Sequence, residues 1–301
     1  MALYHLSNSR LSISVDSKGA ELRSLRKRSC DTEYMWDGDP EYWDRTSPVL
    51  FPFVGSLKNG IYRYDGKEYS VPKHGFAMDM EFEILRQKEN ELKFLLRADE
   101  STLVNYPFDF ELEIGYRFDE EDENKLIVSW RVANRGSREM YFSIGGHPAF
   151  LCPLDGSGMR KNCKLLFDVN DRIISSVVGN GSLMSDRERE YILQGGMLNV
   201  TEDLFKEDAL VIEHDQVHSV SLCDGDQPYL TVSFDAPILA LWAPTKKGVP
   251  FLCVEPWYGR CDSESFAGDL PQREYGNKLA PSAEFHAEYT ITVGDEEHRG
   301  I

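Results

Sequence analysis

His147 and Glu255 are the side chains of this sequence whose neighbours best equip them to move protons. His147 lies in FSIGGHPAF (142–150), after two glycines and before a proline, within an otherwise apolar, strand-like run. A residue preceding proline is pushed toward extended backbone, and glycines let a chain bend or approach a ligand closely. The imidazole is therefore either a held functional group or a core histidine with a hydrogen-bonded ring. Glu255 lies in PFLCVEPWYG (250–259), after an apolar run that reads as a buried strand. Desolvation raises a buried carboxyl toward the range useful to a general base; the alternative is a carboxylate satisfied by backbone amides or an arginine at a strand end. Both stand at X-Pro junctions that read as the ends of apolar strands. One imidazole with one carboxylate suits chemistry in which a proton leaves one atom and arrives at another.

The other candidates carry less. His74, in KHGFAMD just after a proline, reads on its own as a structural loop residue. His214 and His218 in EHDQVH are spaced like a helical zinc pair, but DALVIE and VHSVSLCD on either side read as strands. The pair would then be the ends of a hairpin, without the shared helix face a metal needs. His5, His286 and His298 fall near the termini or on a polar strand face and are expected on the surface. The six cysteines (30, 152, 163, 223, 253 and 261) include no C-x-x-C pair, which signals neither a zinc ribbon nor a disulfide framework. Cys253 is a poor nucleophile, because Glu255 on the same strand face repels a thiolate. No G-x-G-x-x-G, G-K-[ST] or G-x-S-x-G occurs, so hydride transfer, phosphoryl transfer and serine hydrolysis lack their signatures. Neither a metal nor a cofactor is expected.

What must position these groups is a β framework. Phe110, Leu112, Ile114, Tyr116 and Phe118 share one face of DFELEIGYRF, as do Phe285, Ala287, Tyr289, Ile291 and Val293 in AEFHAEYTITV. Turn signals fall at DSKG (16–19), DG (65–66), KEN (88–90) and DGD (224–226). No window carries a sustained helical stripe; DPEYWD and TEDLFKED are one or two turns long, and residues 176–200 read as an excursion from the sheets. The expected fold is an all-β, antiparallel sandwich with few short helices, as a single domain over residues 1–301. A formal charge of −18 argues against nucleic acid as a partner. No apolar run is long enough to cross a bilayer, so no membrane partner is expected, and the chain reads as cytoplasmic with free or buried thiols.

RTSPVLFPFVG, HGFAMD, GGHPAF and FLCVEPWYG, in this order, resemble the aldose 1-epimerase (galactose mutarotase) family, particularly its LacX-like branch. The likeness runs from SVDSKGAELRSL to LAPSAEFHAEYTITV. It implies a β-supersandwich of the galactose mutarotase-like type and a sugar substrate flanked by an acid and a base. His147 would protonate the ring oxygen, Glu255 would take the proton of the anomeric hydroxyl, and His74 would hydrogen-bond the sugar and support ring opening. Arg45 resembles a pocket-lining arginine of related epimerases, and Asp208 in LFKEDALV an acidic residue that grips sugar hydroxyls. Trp242 and Trp257 are candidates either for an aromatic platform or for the core. Two positions depart from the family pattern: Met78 stands in FAMD where an arginine is usual, and Asn59-Gly60 replaces an Asn-Arg step. The missing guanidinium removes a bidentate donor for sugar hydroxyls. The resemblance implies interconversion of the anomers of a free hexose. Its alternatives are a hexose 6-phosphate, with Arg45, Lys58 or Lys73 on the phosphate, and sugar binding without turnover.

Overall fold

The computed structural model describes residues 2–158 and 160–295, and His298 lies outside them. Among the described residues the chain forms 25 strands, one α-helix (Glu100–Asn105) and five short 3-10 turns. Helix therefore serves only as connector. Two sheets of nine and eight strands dominate, their neighbours paired antiparallel. The alternation read at 110–118 builds the nine-stranded sheet: in Phe110–Phe118 every second residue is buried, and Glu284–Val293 lies two strands away. All four turn signals sit between paired strands. Among the described residues no helix is long and apolar enough to cross a membrane.

The two sheets meet face to face. Trp130 and Tyr289 of the nine-stranded sheet press against Gly146 of the other, where an added Cβ would come within 3.3 Å of both rings. At the centre of the eight-stranded sheet, Phe251–Tyr258 is buried at all residues but the last. One face of this strand meets the partner sheet and the other meets covering segments, which is why its sequence is continuously apolar rather than alternating.

A separate four-stranded sheet of Leu3–Ser7, Leu11–Asp16, Glu21–Lys27 and Thr32–Glu33 supports one of those segments. The buried carboxylate of Glu21 accepts the amides of Thr46 (2.7 Å) and Ser47 (2.9 Å). It thereby fixes the chain that carries Arg45 and Pro48.

Three local expectations change. Residues 176–200 are not an excursion: Arg172–Val178 and Met184–Ile192 pair at the edge of the eight-stranded sheet. The second of these, MSDREREYI, is solvated on both faces, so it shows charge instead of alternation. DPEYWD and TEDLFKED form turns, not helix. Finally, His214 and His218 do not end a hairpin. Leu210–Ile212 belongs to the eight-stranded sheet and Ser219–Asp224 to the nine-stranded one, so the turn crosses between sheets. Gln216 in that turn bonds the backbone of Ile174 through both ends of its amide, at 2.9 Å each, and takes the place of a strand.

Candidate active site

Glu255 sits mid-strand, and the strand continues through Pro256 instead of ending there. Gly145 pairs with Trp257 and Ala149 with Cys253 in one unbroken register. His147, halfway between, therefore stands directly opposite Glu255 on the same face of the sheet, the position where cross-strand side chains touch. His147 and Pro148 leave the ladder between Ile144–Gly146 and Ala149–Leu151. There the His147 amide donates to Pro48 O (3.1 Å) and the Val254 amide to Pro148 O (3.0 Å). Pro148 and Pro256 have no N–H to strand, so the interruption leaves no proline amide unpaired. The glycines serve packing, not ligand access: a Cβ on Gly145 would lie 2.5 Å from Trp257 Cδ1.

His147 and Glu255 open into a cleft of about 370 Å³, which His74, Arg45, Asp208, Trp242 and Trp257 also line. The catalytic and sugar-binding candidates of the sequence are thus brought to one place. Glu255 Oε2 lies 3.2 Å from His147 Nε2, without the alignment of a hydrogen bond. That oxygen, His147 Nδ1 and the indole Nε1 of Trp257 are buried and have no hydrogen-bond partner among the described residues. Buried polar atoms are normally paired. Three such orphans in one cleft mark where a polar ligand would complete the structure. The imidazole and carboxyl stand side by side, not on opposite edges of a bound ring as the sequence suggested.

Burial governs the electrostatics. It pushes the Glu255 carboxyl well above its ordinary range, with Asp208 adding to the rise and Lys73 opposing it. It lowers His147 to about 3, with the residue's own backbone opposing the fall and Lys73 reinforcing it. Both effects favour the uncharged forms, a neutral imidazole beside a protonated carboxyl. One proton passed from the carboxyl to the imidazole would turn the pair into carboxylate and imidazolium, a base beside an acid.

His74 has a left-handed backbone (φ 68°) and precedes Gly75 (φ 81°), whose Cβ would lie 2.1 Å from Phe51 O. The HGF block is thus clamped onto the RTSPVLFP segment. The Gly55 amide donates to His74 Nδ1 at 3.1 Å, which leaves the proton of the neutral ring on Nε2. Burial, with the charges of His147 and Lys73, holds His74 well below its ordinary pKa. Arg45 donates to the Met78 carbonyl (3.2 Å) and to Asp79 Oδ1 (2.7 Å). A guanidinium therefore reaches residue 78 from another segment, although residue 78 itself is methionine. Asp208 accepts the Ala209 amide at 2.9 Å. Lys58 does not line the cleft and donates to Phe266 O at 2.8 Å; Asn59-Gly60 lies outside it as well.

Sequence reasoning missed Trp43. Its ring stacks on His147 at 4.7 Å and 29°, and meets Trp242 edge-on at 5.7 Å. Trp36 Nε1 donates to Trp43 O at 2.9 Å and pins it there. The signal was its place two residues before Arg45. The apolar wall of Leu50, Met78, Val178, Ala209 and Val211 was missed too. It belongs to strands and turns whose burial looked like core, and it forms a hydrophobic cluster of its own.

Residues 2–265 match the family model of aldose 1-epimerase. The chain belongs to the aldose 1-epimerase family. Within it, the chain is 30% identical over 298 residues to protein LacX (plasmid) of Lactococcus lactis subsp. lactis, an alignment that covers 96% of this chain and 98% of LacX. Its fold is similar to that of a galactose mutarotase related enzyme from Lactobacillus acidophilus, with a TM-score of 0.90 and 31% identity over 98% of each chain. A galactose mutarotase-like protein from Lactobacillus casei is similar at a TM-score of 0.87 and 25% identity, over 97% of this chain and all of that one. The β-supersandwich expected of an aldose 1-epimerase is thus the fold of this chain, and its family is one of carbohydrate epimerases.

Proposed function

We propose that the protein interconverts the α and β anomers of a free aldohexose by acid–base ring opening and reclosure. The observation that carries this reading is the facing pair His147 and Glu255, buried, 3.2 Å apart and open to one cleft. The anomeric hydroxyl and the ring oxygen are bonded to the same carbon, so an acid and a base that stand side by side can reach both. In the opening step Glu255 carboxylate takes the hydroxyl proton, the C1–O bond of the ring breaks as the aldehyde forms, and the His147 imidazolium delivers its proton to the departing ring oxygen. Rotation about C1–C2 presents the other face, and the reverse transfers close the ring. The pair ends in its starting proton count and no electrons change hands. Neutral His74 offers Nε2–H to a sugar oxygen, Asp208 accepts sugar hydroxyl protons, and Trp43, Trp242 and Trp257 offer faces for the apolar side of the pyranose.

The unphosphorylated sugar is favoured by the state of the cations. Arg45 is taken up by Asp79 and Lys58 by a carbonyl away from the cleft, and Asp44 and Asp208 share the cleft with the remaining Lys73. Saturation-transfer NMR across a panel of aldoses tests the reading. Anomer exchange should accelerate for glucose or galactose and less for glucose 6-phosphate. Binding without acceleration for every sugar would establish a sugar sensor instead, and preference for the phosphate would displace the free hexose.

A further inference from the structure

We propose that the cleft also binds a thiophilic divalent cation of the zinc class through His147, Cys253 and Glu255, and that this metal and the sugar exclude one another. The proposal goes beyond the acid–base reading, because Cys253 has no part in that chemistry. Cys253 lies two residues before Glu255 and so on the same strand face. It pairs with Ala149, two residues beyond His147. The three residues are buried, and one ring nitrogen, Sγ and one carboxylate oxygen all lie within 4.8 Å of one another. A nitrogen–oxygen pair among them is already at 3.2 Å.

Around a tetrahedral zinc ion, with bonds of about 2.0–2.3 Å, donor atoms stand roughly 3.3–3.8 Å apart. The nitrogen and oxygen meet that spacing closely, and the sulfur needs to approach by at most about an ångström. Glu255 Oε2 has no hydrogen-bond partner among the described residues to give up. His147 and Glu255 line the cleft, while Cys253 is fully buried outside its lining; three protein ligands with an open fourth position is the arrangement of zinc sites that exchange their last ligand. Sulfur and imidazole nitrogen in the set select zinc or cobalt over magnesium or calcium, which require oxygen ligands throughout. On binding, the thiol and carboxyl protons pass to solvent, and sulfur, nitrogen and oxygen lone pairs go to the metal. No electron is transferred. The nitrogen and carboxylate lone pairs used for proton transfer are then occupied, so the metal silences the site.

The test uses the untagged, reduced chain. Titration with Co²⁺ should produce a sulfur-to-cobalt charge-transfer band saturating at one equivalent, and Zn²⁺ should displace it. C253A should abolish the band and weaken Zn²⁺ binding at least tenfold by calorimetry, and C253S serves if the alanine variant fails to fold. A wild-type chain without the band, or a folded Cys253 variant that binds Zn²⁺ as tightly as wild type, overturns the proposal. These readouts need no turnover, so they stand apart from the outcome of the anomer-exchange test. If the wild type does turn over sugar, Zn²⁺ should slow exchange and a chelator should restore it; undiminished exchange in the zinc-loaded chain would refute the exclusion.

Discussion

Replacing Gly145 by alanine adds one methyl group at the point where the strand bearing His147 passes the indole of Trp257. The new Cβ would lie 2.5 Å from Trp257 Cδ1 and 3.2 Å from the Pro256 carbonyl. Gly145 has no left-handed backbone that would itself resist alanine, so the effect is overpacking alone. Trp257 is buried to 5% exposure and cannot swing freely. Forcing an extra methyl into a packed site costs about 1–3 kcal/mol. At roughly 2–4 °C per kcal/mol for a large domain, Tm should fall by about 2–12 °C in a calorimetric scan. Because Trp257 also walls the cleft, its displacement should weaken sugar binding and shift tryptophan fluorescence. The variant Trp257→Ala removes the ring that is struck, so Gly145→Ala made in that background should cost less by about 0.5–3 kcal/mol than in wild type. Equal costs in the two backgrounds, or an unchanged Tm, would refute the view that this glycine exists to admit an aromatic ring.

Asp79→Asn removes the charge that holds Arg45 at 2.7 Å on a half-exposed side chain. Stability should change by no more than about 0.5 kcal/mol, while KM for the preferred sugar rises severalfold with kcat nearly unchanged in steady-state assays. Glu111 governs part of the acid stability. Burial would raise its pKa, but Arg135 and Arg131 outweigh burial and hold it below the ordinary value. A carboxyl depressed in the folded state stabilises above its unfolded pKa and loses that contribution as pH falls through the folded one. Glu111→Gln should therefore lower Tm near neutrality and flatten the acid limb of a Tm-against-pH curve, and a parallel displaced curve would count against it.

Much of this molecule was legible in the sequence because two of its signals are local. Alternation at 110–118 and 285–293 reports strands with one wet face, and the dipeptide turns report their connections. Two strands without alternation break the condition on which it depends. Met184–Ile192 has two wet faces and reads as charge, and Phe251–Tyr258 has two dry ones and reads as a uniform apolar run. Proline at 256 looked like an end because its effect on the ladder is local, whereas its neighbour across the gap, the GGHP interruption, is 108 positions away in the chain. The same distance explains the site. His147 and Glu255 were each visible as an anomaly in their own stretches, and His74 drew its role only from the family resemblance, but the register that sets His147 opposite Glu255 is a property of strand pairing. Trp43 carried no anomaly beyond its place two residues before Arg45, and the stacking of its ring on His147 gives it significance.

The account stands most directly on anomer exchange measured by saturation-transfer NMR with His147→Ala and Glu255→Gln beside the wild-type chain. Acid–base partners of this kind contribute on the order of 10²–10⁴ in rate each. Both variants should therefore exchange at least a hundredfold more slowly, with far-UV dichroism and Tm showing intact folds. A folded variant of either residue that exchanges at the wild-type rate would contradict the claim that this pair carries the proton transfers.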